Sequence, residues 1–245
     1  MFIVTIRVYG DLNDFLPVSR RQASFEREIR RPTSIKDLIE SAGIPHTEID
    51  ALLLDEQPAE FDRLVDEPCR IAAYPRFTEL PFMSGGGLLP PLPNPPQFIL
   101  DVHLGKLARY LRILGFDARY ANSLDDDELV QISVDDDRIL LTRDRQLLMR
   151  RALSLGYYVR ETNPRAQVTE IIQRLRLTGQ MLPFSRCPAC NRQLRPVAKP
   201  EIESRLEPLT SRYFDEFWIC EGCERIYWEG SHHARLREIV NAARD

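Results

Sequence analysis

Four cysteines in two Cys-x-x-Cys pairs, "CPAC" (Cys187, Cys190) and "CEGC" (Cys220, Cys223), stand 29 residues apart near the end of a 245-residue chain. Two such turns converging on one ion make a tetrahedral thiolate site, and Zn²⁺ is the metal that suits it. A closed shell of four sulfurs leaves no open position, so the expected role is structural. Metal binding then supplies folding free energy to a module too small for a sufficient core of its own. Arg186, Arg192, Arg195, Arg212, Tyr213, Phe217 and Trp218 lie beside or between the pairs. That mixture suits either gripping RNA by charge and stacking or packing on the module itself. His232 and His233 are placed outside the shell, because the cysteines already fill it.

A second pattern is acidic. Asp101 follows the apolar run "FIL", Asp125, Asp126 and Asp127 precede "ELVQIS", and Asp144 follows "RILLT". Where strands alternate with helices, ligands bind at the carboxyl ends of the strands, and three separate strand–helix junctions here deliver a carboxylate. Each aspartate alone also reads as an ordinary helix N-cap or first-turn residue. Together they point to one shared site. Gathered carboxylates repel and hold a proton or a cation, and hard Mg²⁺ or Mn²⁺ suits oxygen ligands. Such a metal activates water and clamps a phosphate oxyanion for in-line phosphodiester cleavage. No Walker loop, Gly-x-Ser-x-Gly elbow or catalytic Cys–His arrangement competes with this reading. The basic complement is Lys106, Arg109 and Arg112, recurring every third residue opposite Leu104, Leu107, Ala108 and Leu111, with Arg143 and Arg145 flanking Asp144. A cationic helix face beside an acidic edge suits an RNA backbone, although an exposed basic face is also a common solvated surface.

The elements that must position these residues fall into an α/β middle segment, 97–180. Strands are expected at Phe98–Val102, Asp117–Tyr120, Arg138–Thr142 and Tyr157–Arg160, each followed by helical spacing. Asn163 caps the last helix, with Pro164 in its first turn and Val168, Ile171, Ile172 and Leu175 on one face. Alternation of this length implies a parallel sheet flanked by helices. Residues 181–245 form the zinc ribbon and a C-terminal helix, Ser231 to Ala243. Residues 80–96, "LPFMSGGGLLPPLPNPP", read as an exposed semi-stiff linker. Residues 1–79 give two strands, a helix capped by Thr33 or Ser34 and stopped by Gly43, then two more strands near Ala51–Leu54 and Cys69–Tyr74. That is the order of a β-grasp, or ubiquitin-like, domain. Cys69 reads as a small buried hydrophobe rather than a reactive thiol.

Net charge is −4, and the acidity belongs to the first segment: residues 1–84 carry 10 basic and 15 acidic side chains, 97–180 carry 13 and 12, and 181–245 carry 10 and 10. The overall balance therefore does not argue against a polyanionic partner for the later segments. No apolar run approaches a membrane span, the start lacks a basic n-region, and paired cysteines suit a reducing compartment, so the expected location is cytoplasmic.

Two resemblances follow from these residues. "CRIAAYPRF" followed by "SGGG" resembles the end of small sulfur-carrier proteins, whose terminal Gly-Gly carboxylate is the chemical group; here Gly85, Gly86 and Gly87 are internal. "DVHLGKLARYLRILGFDARY", "DDDELV" and "RILLTRDRQLL" resemble the Mut-7 C-terminal RNase domain, a PIN-like nuclease family that also ends in a zinc-ribbon-like segment. An N-terminal ubiquitin-like domain is similarly a known fusion to it. The resemblance implies a metal-dependent ribonuclease in which Asp101, an aspartate of the 125–127 cluster (Asp126 first, Asp125 second) and Asp144 are ligands. RNA is then the partner of the basic residues, and a protein partner that of the β-grasp domain. The alternatives are a non-catalytic RNA-binding adaptor and a sulfur-carrier-type fusion processed at the internal Gly run.

Overall fold

The alternation of Phe2, Val4, Ile6 and Val8 builds β1 (Phe2–Val8), which turns Val4, Ile6 and Val8 inward. In the computed structural model, which describes residues 1–76, 87–229 and 238–241, β1 pairs antiparallel with β2 (Phe25–Ile29). After β3 (Thr33–Ser34), Ser34 caps α1 (Ile35–Glu40), its side chain accepting the Asp37 N–H at 3.1 Å. Gly43, at φ +90°, follows the helix in a conformation that side chains resist. Next come β4 (Ile49–Leu54), β5 (Gln57–Pro58), β6 (Leu64–Val65) and β7 (Cys69–Pro75). The sheet order is β2-β1-β7-β4-β5, with β7 parallel to β1 at the centre. Two outer hairpins joined by a helix across the central parallel pair make the expected β-grasp, its core formed by one sheet face and Ile35, Leu38 and Ile39.

Gly85 and Gly86 of the Gly run lie outside the described residues. Residues 87–90 of the linker lie against the β-grasp domain rather than standing free. The Leu88 N–H donates to the Asp50 carbonyl at 2.7 Å and the Leu89 N–H to Asp50 Oδ1 at 3.1 Å, while Arg76 reaches the Pro90 carbonyl at 2.8 Å. Gly87 sits so close to Asp50 that a Cβ would collide with its carboxylate.

The middle segment supplies β8 (Gln97–Leu100), α2 (Gly105–Ile113), β9 (Asp117–Arg119), α3 (Asp126–Asp135), β10 (Ile139–Thr142), α4 (Arg145–Leu148), β11 (Gly156–Tyr158) and α5 (Pro164–Arg174). Its strands pair parallel, β8 with β9 and β10 with β11, as strand–helix alternation requires. Asn163 Oδ1 accepts the Arg165 and Ala166 N–H groups and caps α5 as expected. α4 is shorter than the spacing suggested. The Met149 N–H is shared between the Arg145 and Gln146 carbonyls, which tightens the turn after a single helical turn. Leu153 and Leu155 must still reach the core before β11 begins. The final segment folds as β12 (Leu194–Val197), α6 (Lys199–Ile202), α7 (Pro208–Tyr213), β13 (Phe217–Cys220) and β14 (Ile226–Trp228), with the strands ordered β12-β13-β14 and antiparallel. The expected Ser231–Ala243 helix falls largely outside the described residues; 238–241 is helical and buries Ile239 and Val240. No helix among the described residues is long and apolar enough to cross a membrane.

The chain packs as two compact units: Met1–Leu92 with Asp126–Tyr158, and Pro93–Asp125 with Val159–Asp245. Within the first, the β-grasp domain docks on the β10–β11 region through the turn His46–Glu48. His46 bridges Glu40 (2.7 Å) and the Leu153 carbonyl (2.8 Å), and Glu48 accepts the Tyr158 N–H.

Candidate functional site

In the second unit, the apolar strand β8 ends at Leu100 and the chain places Asp101 directly after it, 8% exposed. Asp101 starts the short turn Val102–Leu104, its carbonyl accepting the Leu104 N–H at 2.9 Å. The Tyr120 hydroxyl donates to the Val102 carbonyl at 2.8 Å and packs against Gly105, where a Cβ would lie 2.7 Å from its oxygen. Tyr120 therefore fixes the turn that carries Asp101 into α2. No spacing rule in the sequence singled it out, because a tyrosine at a strand end has no distinctive pattern. Asp125 is exposed immediately before α3.

In the first unit, Asp126 is the first residue of α3 and exposed, and Asp127 forms an ion pair with Arg150 at 3.1 Å. Asp144 is the N-cap of α4: its Oδ1 accepts the Gln146 N–H at 2.7 Å and the Leu147 N–H at 3.4 Å, and its own N–H donates to Thr142 Oγ1 at 2.9 Å. The plainer capping role is thus real. A carboxylate has a second oxygen, and Asp144 Oδ2 accepts no hydrogen bond from the described residues.

The basic residues divide. Lys106 and Arg109 are exposed on α2, as a phosphate-facing stripe requires, and Arg143 is half-buried. Arg112 departs from that expectation: it is 6% exposed, and its guanidinium donates to the carbonyls of Ala118 (2.8 Å), Pro188 (3.3 Å) and Ala189 (2.9 Å). Burial pulls its pKa down, and the nearby Cys187, Cys190 and Asp117 partly offset that pull. Its work is to bind the first cysteine turn to helix α2. Arg145 departs as well. It donates to the Phe15 carbonyl at 2.9 Å and lies over the rings of Phe15 (5.1 Å) and Tyr158 (5.6 Å), so it clamps the β-grasp domain rather than meeting phosphate.

The four cysteines meet as their spacing implied. One ligand atom from each of Cys187, Cys190, Cys220 and Cys223 lies within 4.8 Å of all the others. The Cys187–Cys223 sulfurs are 3.7 Å apart and the Cys190–Cys220 sulfurs 3.2 Å. A tetrahedral Zn²⁺ with Zn–S of about 2.3 Å needs sulfurs about 3.8 Å apart, so the four can hold the ion with small adjustments. Asn191 and Glu224, each directly after the second cysteine of its pair, have φ of +72° and +55°, the turn that folds each pair around a metal. The Gly222 and Cys223 N–H groups both donate to Cys220 Sγ at 3.4 Å. For Cys220, burial pushes the thiol up, but these N–H donors outweigh it and bring the pKa down to about 7. Burial, with hydrogen bonds from the neighbouring thiols, pushes Cys190 up to about 12. Sulfurs this close cannot all ionise without a cation, and a dication that displaces the protons removes the conflict. The Tyr227 hydroxyl lies 3.0 Å from Cys187 Sγ and orients that ligand from outside.

Around this centre the aromatics mostly pack on the ribbon itself. Phe217 is buried with Val197, Ile202 and Ile219, and Trp228 tilts against Phe214 and Phe217. Tyr213 is an exception at 66% exposed. His232 and His233 lie outside the described residues.

No curated protein matches the chain. Two family models do: a Mut7-C ubiquitin model over residues 1–81, and a Mut7-C RNAse domain model over residues 96–240, more than half of the chain. The β-grasp order, the parallel α/β segment and the four-cysteine ribbon agree with both matches, and the chain belongs to the Mut7-C RNase-domain family, with a Mut7-C ubiquitin domain ahead of it.

Proposed function

We propose that the protein is a metal-dependent ribonuclease whose Mg²⁺ or Mn²⁺ is held by Asp101, Asp126 or Asp125, and Asp144. The observation that carries this reading is Asp101, a carboxylate 8% exposed at the end of a strand whose last three residues are wholly buried. Strand ends are where this fold class builds its sites, and Asp101 stands at the end of β8, where the chain turns into α2. The donor set fits a hard dication: each candidate is a carboxylate, and Asp144 caps α4 with one oxygen while its other accepts no hydrogen bond from the described residues. Bound there, the ion would supply an activated water and a clamp on a phosphate oxygen. The chain's own contribution is to orient the ligands, through the Tyr120–Val102 bond for Asp101 and the Thr142–Asp144 turn for Asp144. Lys106 and Arg109 would meet the RNA backbone.

The test is cleavage of end-labelled single-stranded RNA by zinc-loaded protein, first without added divalent ion and then with Mn²⁺, by the wild type and by Asp144→Asn. Cleavage that requires Mn²⁺ and is lost in the variant supports the reading. Cleavage independent of both removes it. The capping bonds of Asp144 favour one rival, a non-catalytic RNA-binding adaptor in which that aspartate only starts a helix. It expects tight RNA binding, no Mn²⁺-stimulated cleavage, and an Asp144→Asn variant that behaves as wild type.

A further inference from the structure

A half-open pocket of about 370 Å³ lies within the second unit between α2 and the cysteine turns, lined by Arg109, Pro188, Ala189, Arg225, Ile226 and Tyr227. Its two arginines come from segments more than a hundred residues apart. Neither guanidinium makes a hydrogen bond or ion pair with the described residues. Arg112, on the same helix, spends its guanidinium on carbonyls, and Arg186 pairs with Asp117 at 3.3 Å. Arg109 and Arg225 are thus the cations of this wall that remain open to a ligand. The other lining residues offer apolar surface. The Tyr227 hydroxyl lies 3.0 Å from Cys187 Sγ, which anchors the far end of the ring that helps line the pocket.

We infer that this pocket is a nucleotide subsite for single-stranded RNA, taking a backbone phosphate between Arg109 and Arg225 and the adjoining base against Tyr227 and Pro188. Planar guanidinium forks match phosphate oxygens in pairs, and an aromatic wall accepts the face of any base. A concave site of this size admits an unstacked nucleotide and excludes a duplex, whose bases are not free to enter. Lys106 lies one turn from Arg109 toward the start of α2, the end that follows Asp101, so the cationic track leads from the ribbon toward that carboxylate. This subsite gives the ribbon a part in substrate binding beyond structural zinc. It rests on the ribonuclease reading only for RNA as the ligand.

The experiment is fluorescence anisotropy of a labelled oligouridylate with full-length, zinc-loaded protein and no other divalent ion, for the wild type, Arg109→Ala, Arg225→Ala and the double variant. Each single change is expected to weaken binding about fivefold to tenfold and to lower the slope of log K against log salt by about 0.7. Zinc content and the far-UV spectrum should match wild type. Binding of a blunt duplex should be unchanged. Wild-type affinity and salt slope in both single variants would overturn the subsite, as would equal losses for single strand and duplex. If Arg109→Ala loses zinc or fold, Arg225→Ala, at an exposed position, decides alone. Mn²⁺-dependent cleavage is read separately. A wild type that cleaves nothing, but whose variants lose single-strand binding, keeps the subsite and removes the nuclease. A wild type that cleaves, with variants that bind normally, does the reverse.

Discussion

Replacing Arg112 with methionine separates two roles that one arginine on a basic helix can have. The structure makes it a buried tie between α2, β9 and the Cys187–Cys190 turn. Methionine keeps much of the side-chain volume and removes every donor. The Ala118 carbonyl, buried where the arginine meets it, would then lack this partner, at about 1–3 kcal/mol, and the more accessible Pro188 and Ala189 carbonyls would exchange charge-assisted bonds for water at about 1 kcal/mol each. Against this, the variant no longer buries a guanidinium, the cost that pulls the arginine's pKa down. The net expectation is a loss of about 2–4 kcal/mol. With a denaturant slope of about 2–3 kcal/mol/M, that moves the urea midpoint down by roughly 1 M. Both tryptophans, Trp218 and Trp228, lie in the ribbon, so intrinsic fluorescence reports the part of the molecule that Arg112 secures. The paired assay is zinc release to a chromogenic chelator, expected to quicken at least tenfold. RNA affinity at constant zinc occupancy should keep its wild-type salt slope. A variant with the wild-type urea midpoint and zinc-release rate, but a salt slope smaller by about 0.7, would refute this reasoning and make Arg112 a phosphate contact.

Asp144→Asn retains a good N-cap, so its stability should stay within about 0.5 kcal/mol of wild type while Mn²⁺-dependent cleavage falls by more than about 100-fold; Asp144→Ala should lose the cleavage and also about 1 kcal/mol in a urea melt. Arg145→Ala should destabilise by about 2–3 kcal/mol through the lost Phe15 carbonyl bond and ring contacts, with the salt slope for RNA unchanged. Cys69 is pushed up to about 11 by burial and then by Asp55 and Glu67, so it is neutral at pH 7, and its thiolate fraction rises only as pH climbs toward that value. Iodoacetamide at pH 7 should therefore leave Cys69 of the native zinc-loaded protein essentially unlabelled, as mass spectrometry would show, and label it after unfolding.

The elements legible in the sequence were those whose signal is local. Alternation in Phe2–Val8, the Ser34 and Asn163 caps, and the paired cysteines each depend on residues a few positions apart, and each is realised. Arg112 leaves the basic stripe because a three-residue spacing does not stay on one helix face: each step of three falls about 60° short of a full turn, so Arg112 lies about 120° from Lys106, at the margin of the apolar stripe. Arg145 could not have been assigned that way, since its partner Phe15 is 130 residues distant. The docking turn at His46–Glu48 was invisible for the same reason. The four clustered cysteines are legible from their spacing, whereas the Arg109–Arg225 pocket depends on how the ribbon sits against α2, which no spacing encodes.

The ribbon's attachment gives a reason for a four-cysteine cluster to stand beside this α/β segment. β9 pairs with β8 on one side and ends its sheet, leaving backbone groups that an edge strand must satisfy. Ala118 of β9 resolves this with side chains: its N–H donates to Asn191 Oδ1 at 3.1 Å, and its carbonyl accepts from Arg112. Asn191 Nδ2 also donates to Asp117 Oδ1 at 2.8 Å, while Arg186 pairs with the other oxygen of Asp117. Asn191 can do this because it sits at φ +72° in the turn directly after Cys190, a conformation that asparagine tolerates and that a metal-bound pair would hold. Farther along, the Leu182 and Phe184 N–H groups tie to the Leu114 and Ile113 carbonyls at the end of α2. An ion on the four sulfurs would therefore fix one turn; that turn holds the edge strand through Asn191, and Arg112 ties the same turn to the helix that begins next to Asp101. In this arrangement a metal on the cysteines would brace the strand end that carries Asp101 through backbone and side-chain hydrogen bonds, without itself touching that carboxylate.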